Sequence, residues 1–412
     1  MKDIKAEYNH HLYSEVQIRF SRIMDMLYWC PGGSEPEPEP EPEPKPRHAG
    51  RPNLAKPEFI VSFFGKFYFC PAQDTIFEAP YVEPVYLWYS GGLDTAPNCL
   101  LLHQHTWYND DEGTVGLEVV IFDYEGNRVI TAYGLDEGRW PQTVKKIGDK
   151  IWFSLTVEEP VGVGGFYSIP WDETLESYPV PVADANLEYQ LDYNWEVEER
   201  AVDGAVFFGG LDGDSWDPPP PDPHSIYYFD RQNSTVIKVL EVGGYSSGFA
   251  FDSEGNLWSG EYLLSFDPEM YILPCRLGMW TKEAVDAVID GLSSFLVWDD
   301  AEVVIELGTR PETELNWGPN DIETDPDGNI YVSLNTYDGW GENNEYGAVI
   351  QVYKDGEGYH TKYIFDADYT GNNRWDWHRG LAFDSSSNLL LDVDMNQSDP
   401  DPDFDDRLLA VI

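Results

Sequence analysis

Basic residues are scarce. The 412-residue chain has 25 lysines and arginines against 75 aspartates and glutamates, a formal net charge of −50. A field of that sign repels phosphate backbones and anionic lipid, which excludes nucleic-acid binding by charge neutralisation and argues against a membrane-surface role. No run of 18 apolar residues occurs, so no membrane insertion is expected. The opening MKDIKAEYNHH has no apolar core of a secretory signal, so the expectation is either a chain not exported by that route or a processed product. Cysteines are few: Cys30, Cys70, Cys99 and Cys275. None forms a CxxC pair, which argues against a zinc or thioredoxin-type site. All four are disulfide candidates in an extracellular setting, with four buried thiols as the equal alternative. A G-x-S-x-G nucleophile element is also missing, so no catalytic residue is assigned. Apolar matter is not lacking: 42% of residues are hydrophobic and 15% aromatic, enough for a large core.

The acidity is uneven. Residues 1–57 hold 8 basic and 9 acidic side chains, and nearly all the excess negative charge lies beyond them. Residues 10–29 read as an amphipathic helix, with Leu12, Val16, Phe20, Ile23 and Leu27 on one stripe. Pro31-Gly32-Gly33 ends it. The following SEPEPEPEPEPKPRH alternates proline and glutamate, which imposes a polyproline II spacer roughly 40 Å long. A helix held off by such a spacer has no core of its own in which to bury its stripe. The organisation expected is therefore an assembly anchor (1–33), a Pro/Glu-rich linker (34–57) and a main domain (58–412).

After residue 58 the pattern turns to short period-two strands rich in Val, Ile, Phe, Tyr and Trp. One helix stands out, Thr281–Asp290, with Thr281 as N-cap and Gly291 after its end. It is placed in a helical insert near 261–292, between the second and third strands of its unit. GFAFDSEGNLWSG (248–260), NDIETDPDGNIYVSL (320–334) and GLAFDSSSNLLLDVD (380–394) are copies of one hairpin, a strand, a D-x-x-G/S-N turn and a second strand. Weaker copies are TVKKIGDKIWFSL (143–155) and EVEERAVDGAVFFGG (196–210). Four strands per unit in tandem predict an all-β fold, a six-bladed β-propeller with units near 85–135, 140–190, 195–243, 245–309, 317–369 and 377–412. The last unit has three clear strands, so EFIVSFF (58–64) is expected to supply its fourth and close the ring.

These hairpins resemble the NHL and SMP-30/gluconolactonase group of six-bladed propellers, in rhythm over most of the main domain and most specifically in the three strong copies. The resemblance implies the fold. For the lactonases of the group it also implies a divalent cation in the central tunnel, with Asn320, in Gly318-Pro319-Asn320, as a ligand. Two corresponding places depart from that pattern, reading Ser246-Ser247-Gly248 and His378-Arg379-Gly380.

Loops entering the first strand of each unit carry Trp140, Trp195, Tyr245, Trp317 and Trp377. These rings either pack between units or line a concave surface that binds a glycan or a partner's side chains. Hard cations want several oxygens at alternating loop positions. Asp392, Asp394, Asn396 and Asp399 have that spacing, with Asp212 and Asp214 as a second set, which points to Ca2+. His103 and His105, two apart on one strand, share a face. Together these features predict a non-catalytic subunit of an extracellular assembly, a cell-surface filament or a virion. It would pair through residues 1–57 with copies of itself or a neighbouring structural protein. The alternatives are a metal-dependent lactonase or esterase and a carbohydrate-binding propeller.

Overall fold

The computed structural model describes residues 60–411. Segments 64–65, 70–75, 79–84, 99, 110–113, 124–127, 136–138, 158–163, 212–223, 243–247, 262–274, 309–316, 337–346, 357, 367–374, 385–386, 388 and 396–406 lie outside the description. The expected helix at 10–29 and the Pro/Glu spacer also lie outside it.

The fold is mostly β. Among the described residues, six sheets follow one another along the chain, preceded by a three-stranded sheet (Ile60–Phe63, Lys66–Phe69, Ile76–Glu78). Sheet I holds Val85–Ala96, Leu100–Asn109, Thr114–Asp123 and Arg128–Leu135. Sheet II holds Arg139–Ile147, Lys150–Val157, Gly165–Pro170 and Asn186–Gln190. Sheet III holds Asn194–Arg200, Ala205–Leu211, His224–Asp230 and Thr235–Val242. Sheet IV holds Phe249–Phe251, Leu257–Glu261, Arg276–Trp280 and Val303–Glu306. Sheet V holds Trp317–Thr324, Ile330–Thr336, Gly347–Asp355 and Gly358–Asp366, and sheet VI holds Trp375–Phe383, Leu389–Met395 and Arg407–Val411. Within each sheet these strands pair antiparallel in chain order.

The turns follow from their residues. In sheet IV, Asp252 accepts from the backbone N–H groups of Glu254 (3.0 Å) and Asn256 (2.9 Å), while Gly255 takes φ +85°. In sheet V, Asp325 accepts from Asp327 and Asn329, both at 2.9 Å, and Gly328 takes φ +83°. A β-carbon on Gly328 would lie 2.4 Å from Ser253 Cβ, so these two turns abut and require glycine here.

The core is a set of apolar layers between successive sheets, and for this reason the middle strands are apolar on both faces. Val119 and Ile121 of sheet I meet Val144 and Phe153 of sheet II. Trp152 and Phe166 meet Val206 and Phe208 of sheet III, and Phe207 and Val239 meet Phe249 and Trp280 of sheet IV. Trp258 and Met279 meet Ile322 and Val332 of sheet V. The Tyr331 ring lies 4.7 Å from Phe383 of sheet VI. Finally Ala382 and Leu390 pack on Leu93 and Leu101, so the sixth sheet packs back on the first, and Thr95 Oγ1 donates to the Phe383 carbonyl at 2.9 Å.

Helix α1 (Lys282–Ile289) is capped by Thr281, whose side chain accepts from Ala284 N–H, and it buries Val285 and Val288. It follows the third strand of sheet IV, not the second as expected from the sequence. Arg276–Trp280 pairs with both Leu257–Glu261 and Val303–Glu306, which fixes that order. Ile60–Phe63 lies beside Arg407–Val411, but its ladder partner is Lys66–Phe69. Two outer edges are covered: Val180–Pro181 pairs parallel with Ala132 and Tyr133 on sheet I, and Leu296 exchanges hydrogen bonds with Val239 and Glu241 on sheet III.

Candidate functional site

The first strands of the six sheets adjoin one another around the line on which the sheets converge. A register irregularity interrupts five of them at related places: Ser90/Gly92, Pro141/Val144, Asn194/Val197, Pro319/Asp321 and His378/Gly380. Such bulges re-aim side chains and are common beside functional sites. After the irregularity the strands fall into step. Asp94, Lys145, Glu198, Ala250, Glu323 and Ala382 oppose Leu102, Trp152, Phe207, Trp258, Tyr331 and Leu390 on their second strands. Two residues earlier stand Gly92, Thr143, Glu196, Gly248, Asp321 and Gly380. Sheets I, II, III and V thus bring charge to the axis, and sheets IV and VI bring glycine and alanine.

The charged side chains form one cluster, in which Lys145, Glu196 and Asp321 are buried and Asp94, Glu198 and Glu323 are partly buried. Lys145, 6% exposed, places Nζ 2.5 Å from Glu198 Oε1 and also ion-pairs with Glu323. The first acid belongs to the neighbouring sheet III and the second to sheet V, two sheets further along the chain. Glu196 Oε1 accepts from Thr143 Oγ1 at 2.5 Å and from Val197 N–H at 3.1 Å. Asp94 Oδ2 accepts from Lys146 N–H at 2.6 Å. Asp321 accepts from Ile322 N–H through Oδ1 (2.8 Å) and from Leu381 N–H through Oδ2 (2.6 Å), tying sheet V to sheet VI.

Burial dominates the acid–base character. It raises the carboxyls of Asp94, Glu196 and Asp321, with the Lys145 charge opposing it. Glu198 is pushed up to about 7 by burial against the same opposition. For Lys145 burial works against the charged form but is outweighed by Glu198, Glu196, Asp94 and Asp321, so its ammonium is held more firmly than usual.

A divalent ion needs several oxygens free to converge on it. Here both oxygens of Asp321 already face backbone donors, Oε1 of Glu196 and Oδ2 of Asp94 each accept from a backbone N–H, and an ammonium stands between Glu198 and Glu323. Among the described residues no group of three or more His, Cys, Asp or Glu is placed to hold a metal ion. The axial residues therefore do not fit a bound metal.

The sequence-selected residues fall elsewhere. Asn320 is the inserted residue of the sheet V irregularity; it is half-buried, and its carbonyl accepts from Gly248 N–H at 2.8 Å. Trp317, 2% exposed, lies in the layer between sheets IV and V with its ring 6.3 Å from Tyr363, so it packs between units and is not on a concave surface. Trp195 is half-buried in the first strand of sheet III. Trp140 and Trp377 sit in first strands, and their side chains lie outside the description, as does Tyr245. Asp392 and Asp394 belong to the strand Leu389–Met395 and pair with Leu409 and Arg407, so they precede the loop in which calcium ligands were expected. Asn396, Asp399, Asp212 and Asp214 lie outside the described residues. Cys275 is buried just ahead of Arg276–Trp280, and the other three cysteines are not described. His103 and His105 sit side by side with Nδ1 atoms 3.2 Å apart, and His105 Nε2 lies 3.5 Å from Glu118.

Sequence reasoning missed the axial cluster. The available signal was charge alternating through first strands that must be buried, as in Glu196-Val-Glu198 and Asp321-Ile-Glu323.

No family model and no curated protein matches the chain. Solved structures similar to it include a periplasmic gluconolactonase from Pseudomonas aeruginosa, 14% identical, covering 84% of this chain and 91% of that one with a TM-score of 0.44. A gluconolactonase from Xanthomonas campestris is 12% identical over 74% of this chain and 82% of its own, TM-score 0.41. The β-propeller domain of a protease from Pyrococcus furiosus is 15% identical over 79% and 95%, TM-score 0.38.

Proposed function

We propose that the main domain is a single six-bladed β-propeller, each blade one of the six sheets, and that it serves as a non-catalytic display and binding module of an extracellular assembly. The observation that supports the non-catalytic part of this reading is Lys145. An ammonium fixed between Glu198 and Glu323 fills the axis where a metal-dependent hydrolase of this architecture would need open ligand positions. In this reading residues 1–33 anchor the chain in a neighbouring subunit, a filament or virion component being the setting envisaged. The acidic loops bind Ca2+, which relieves their mutual repulsion. Deleting residues 1–33 is expected to leave a folded monomer that no longer assembles, as read by native mass spectrometry and negative-stain imaging. Normal assembly of the truncated chain would defeat the anchor.

A second reading, a lactonase-like hydrolase, is favoured by one feature of the same cluster. Glu198 is poised near neutrality, a value suited to general acid–base work. A panel of lactones and esters, assayed with and without Ca2+, Mn2+ and Zn2+, separates the two. Turnover that disappears in Asn320→Ala or Glu198→Gln would replace the first reading with the second.

A further inference from the structure

We propose that Lys145 is the resident cation of the ring axis, a protein-borne ammonium that joins blades across the ring and leaves no place there for a divalent ion. The reach of the side chain comes first. Lys145 starts from sheet II, meets Glu198 on the adjacent sheet III, and meets Glu323 on sheet V, which is not a neighbour of sheet II. Its ion pairs therefore connect strands that share no backbone ladder.

Room for so long a side chain comes from the blades without charge. Sheets IV and VI carry Gly248, Ala250, Gly380 and Ala382 at the axial positions, nothing larger than a methyl group. A β-carbon on Gly248 would lie 2.6 Å from Asp321 Oδ1, so this absence of side chain also lets Asp321 approach.

The other acids of the cluster are held in place by contacts that do not involve the ammonium. Backbone N–H groups of Lys146, Val197, Ile322 and Leu381 hold Asp94, Glu196 and Asp321. A metal in this position would dissociate on dilution or chelation, and the stability of the ring would follow its concentration. A lysine cannot leave, so ring closure does not depend on cation supply. The inference rests on these contacts alone and does not depend on what the outer loops bind.

The test uses the full-length protein. Wild type and the Glu198→Gln/Glu323→Gln variant are stripped with chelator and dialysed against Ca2+, Mn2+ or Zn2+, and bound metal is counted per chain. Equal content in the two proteins is expected, because any calcium on acidic loops is common to both. An ion held by wild type and lost from the variant would overturn the proposal. Reductive methylation of native wild type, read residue by residue by mass spectrometry, needs no variant to fold. Lys145 is expected to react at least about a hundredfold more slowly than surface lysines until the ring opens. Reaction at the surface rate would equally overturn it.

Discussion

The six first strands are of two kinds, and they differ in what they can lose. Sheets I, II, III and V place Asp94, Lys145, Glu196, Glu198, Asp321 and Glu323 on the axis, whereas sheets IV and VI place glycine and alanine there. The charged strands are held together by long-range ion pairs and by side-chain acceptors for backbone N–H groups. The uncharged ones are held by close approach and by backbone hydrogen bonds, Gly248 N–H to the Asn320 carbonyl and Leu381 N–H to Asp321. The two kinds are complementary, since the small residues make the space in which the large ones meet.

The largest expected effect breaks the charged side. Lys145→Met leaves buried carboxylates without their counter-charge and is expected to cost about 3–5 kcal/mol, measured by urea unfolding. Next comes the uncharged side. Gly248→Ala sets a methyl against Asp321 Oδ1 and Ile322 N, at 2.6 and 2.8 Å in the unrelaxed structure, and is expected to cost about 1–3 kcal/mol by the same measurement.

A subtler effect concerns pH. Glu198 has a folded value raised to about 7 from an ordinary 4.5. Its contribution to stability is therefore fully present below the unfolded value and is lost as pH rises toward the folded one. Wild type should lose stability between about pH 4.5 and 7, and Glu198→Gln should flatten that slope, as read from urea midpoints across the range. An unchanged slope would mean that Glu198 titrates in the folded protein as it does in the unfolded chain. The smallest expected effect lies off the axis. Thr281→Ala removes the cap of α1 and is expected to cost about 1 kcal/mol.

The rhythm of the fold was legible in the sequence because it is local. The D-x-x-G-N turns at 252–256 and 325–329 fix φ and register within a few residues, and the unit spans read from them follow the sheets closely. Helix α1 was legible for the same reason, since its cap and its buried Val285 and Val288 lie within one short segment. The axial cluster was not legible. Lys145 and Glu323 are far apart in the chain, and Glu196-Val-Glu198-Glu199 looks like one more solvated strand in a protein with 75 carboxylates. Asp392 and Asp394 had two readings in the sequence, the end of a hairpin strand and the start of an acidic loop. In an acidic tail they read as loop ligands, but the alternation of Leu391, Asp392, Val393 and Asp394 continues the strand. Trp317 had two readings open, and only the layer around it decides between them.

The covered outer edges bear on how such molecules can stack side by side. Main-chain strand addition requires a free row of N–H and C=O groups. On sheets I and III part of that row, at Ala132 and Tyr133 and at Val239 and Glu241, is engaged by the chain's own Val180–Pro181 and Leu296. Strand addition would have to exploit another sheet, such as sheet V at Gly358–Asp366. The outer edges of the sheets are thus not equivalent, and any lattice grown by lateral pairing would inherit a grain from this asymmetry.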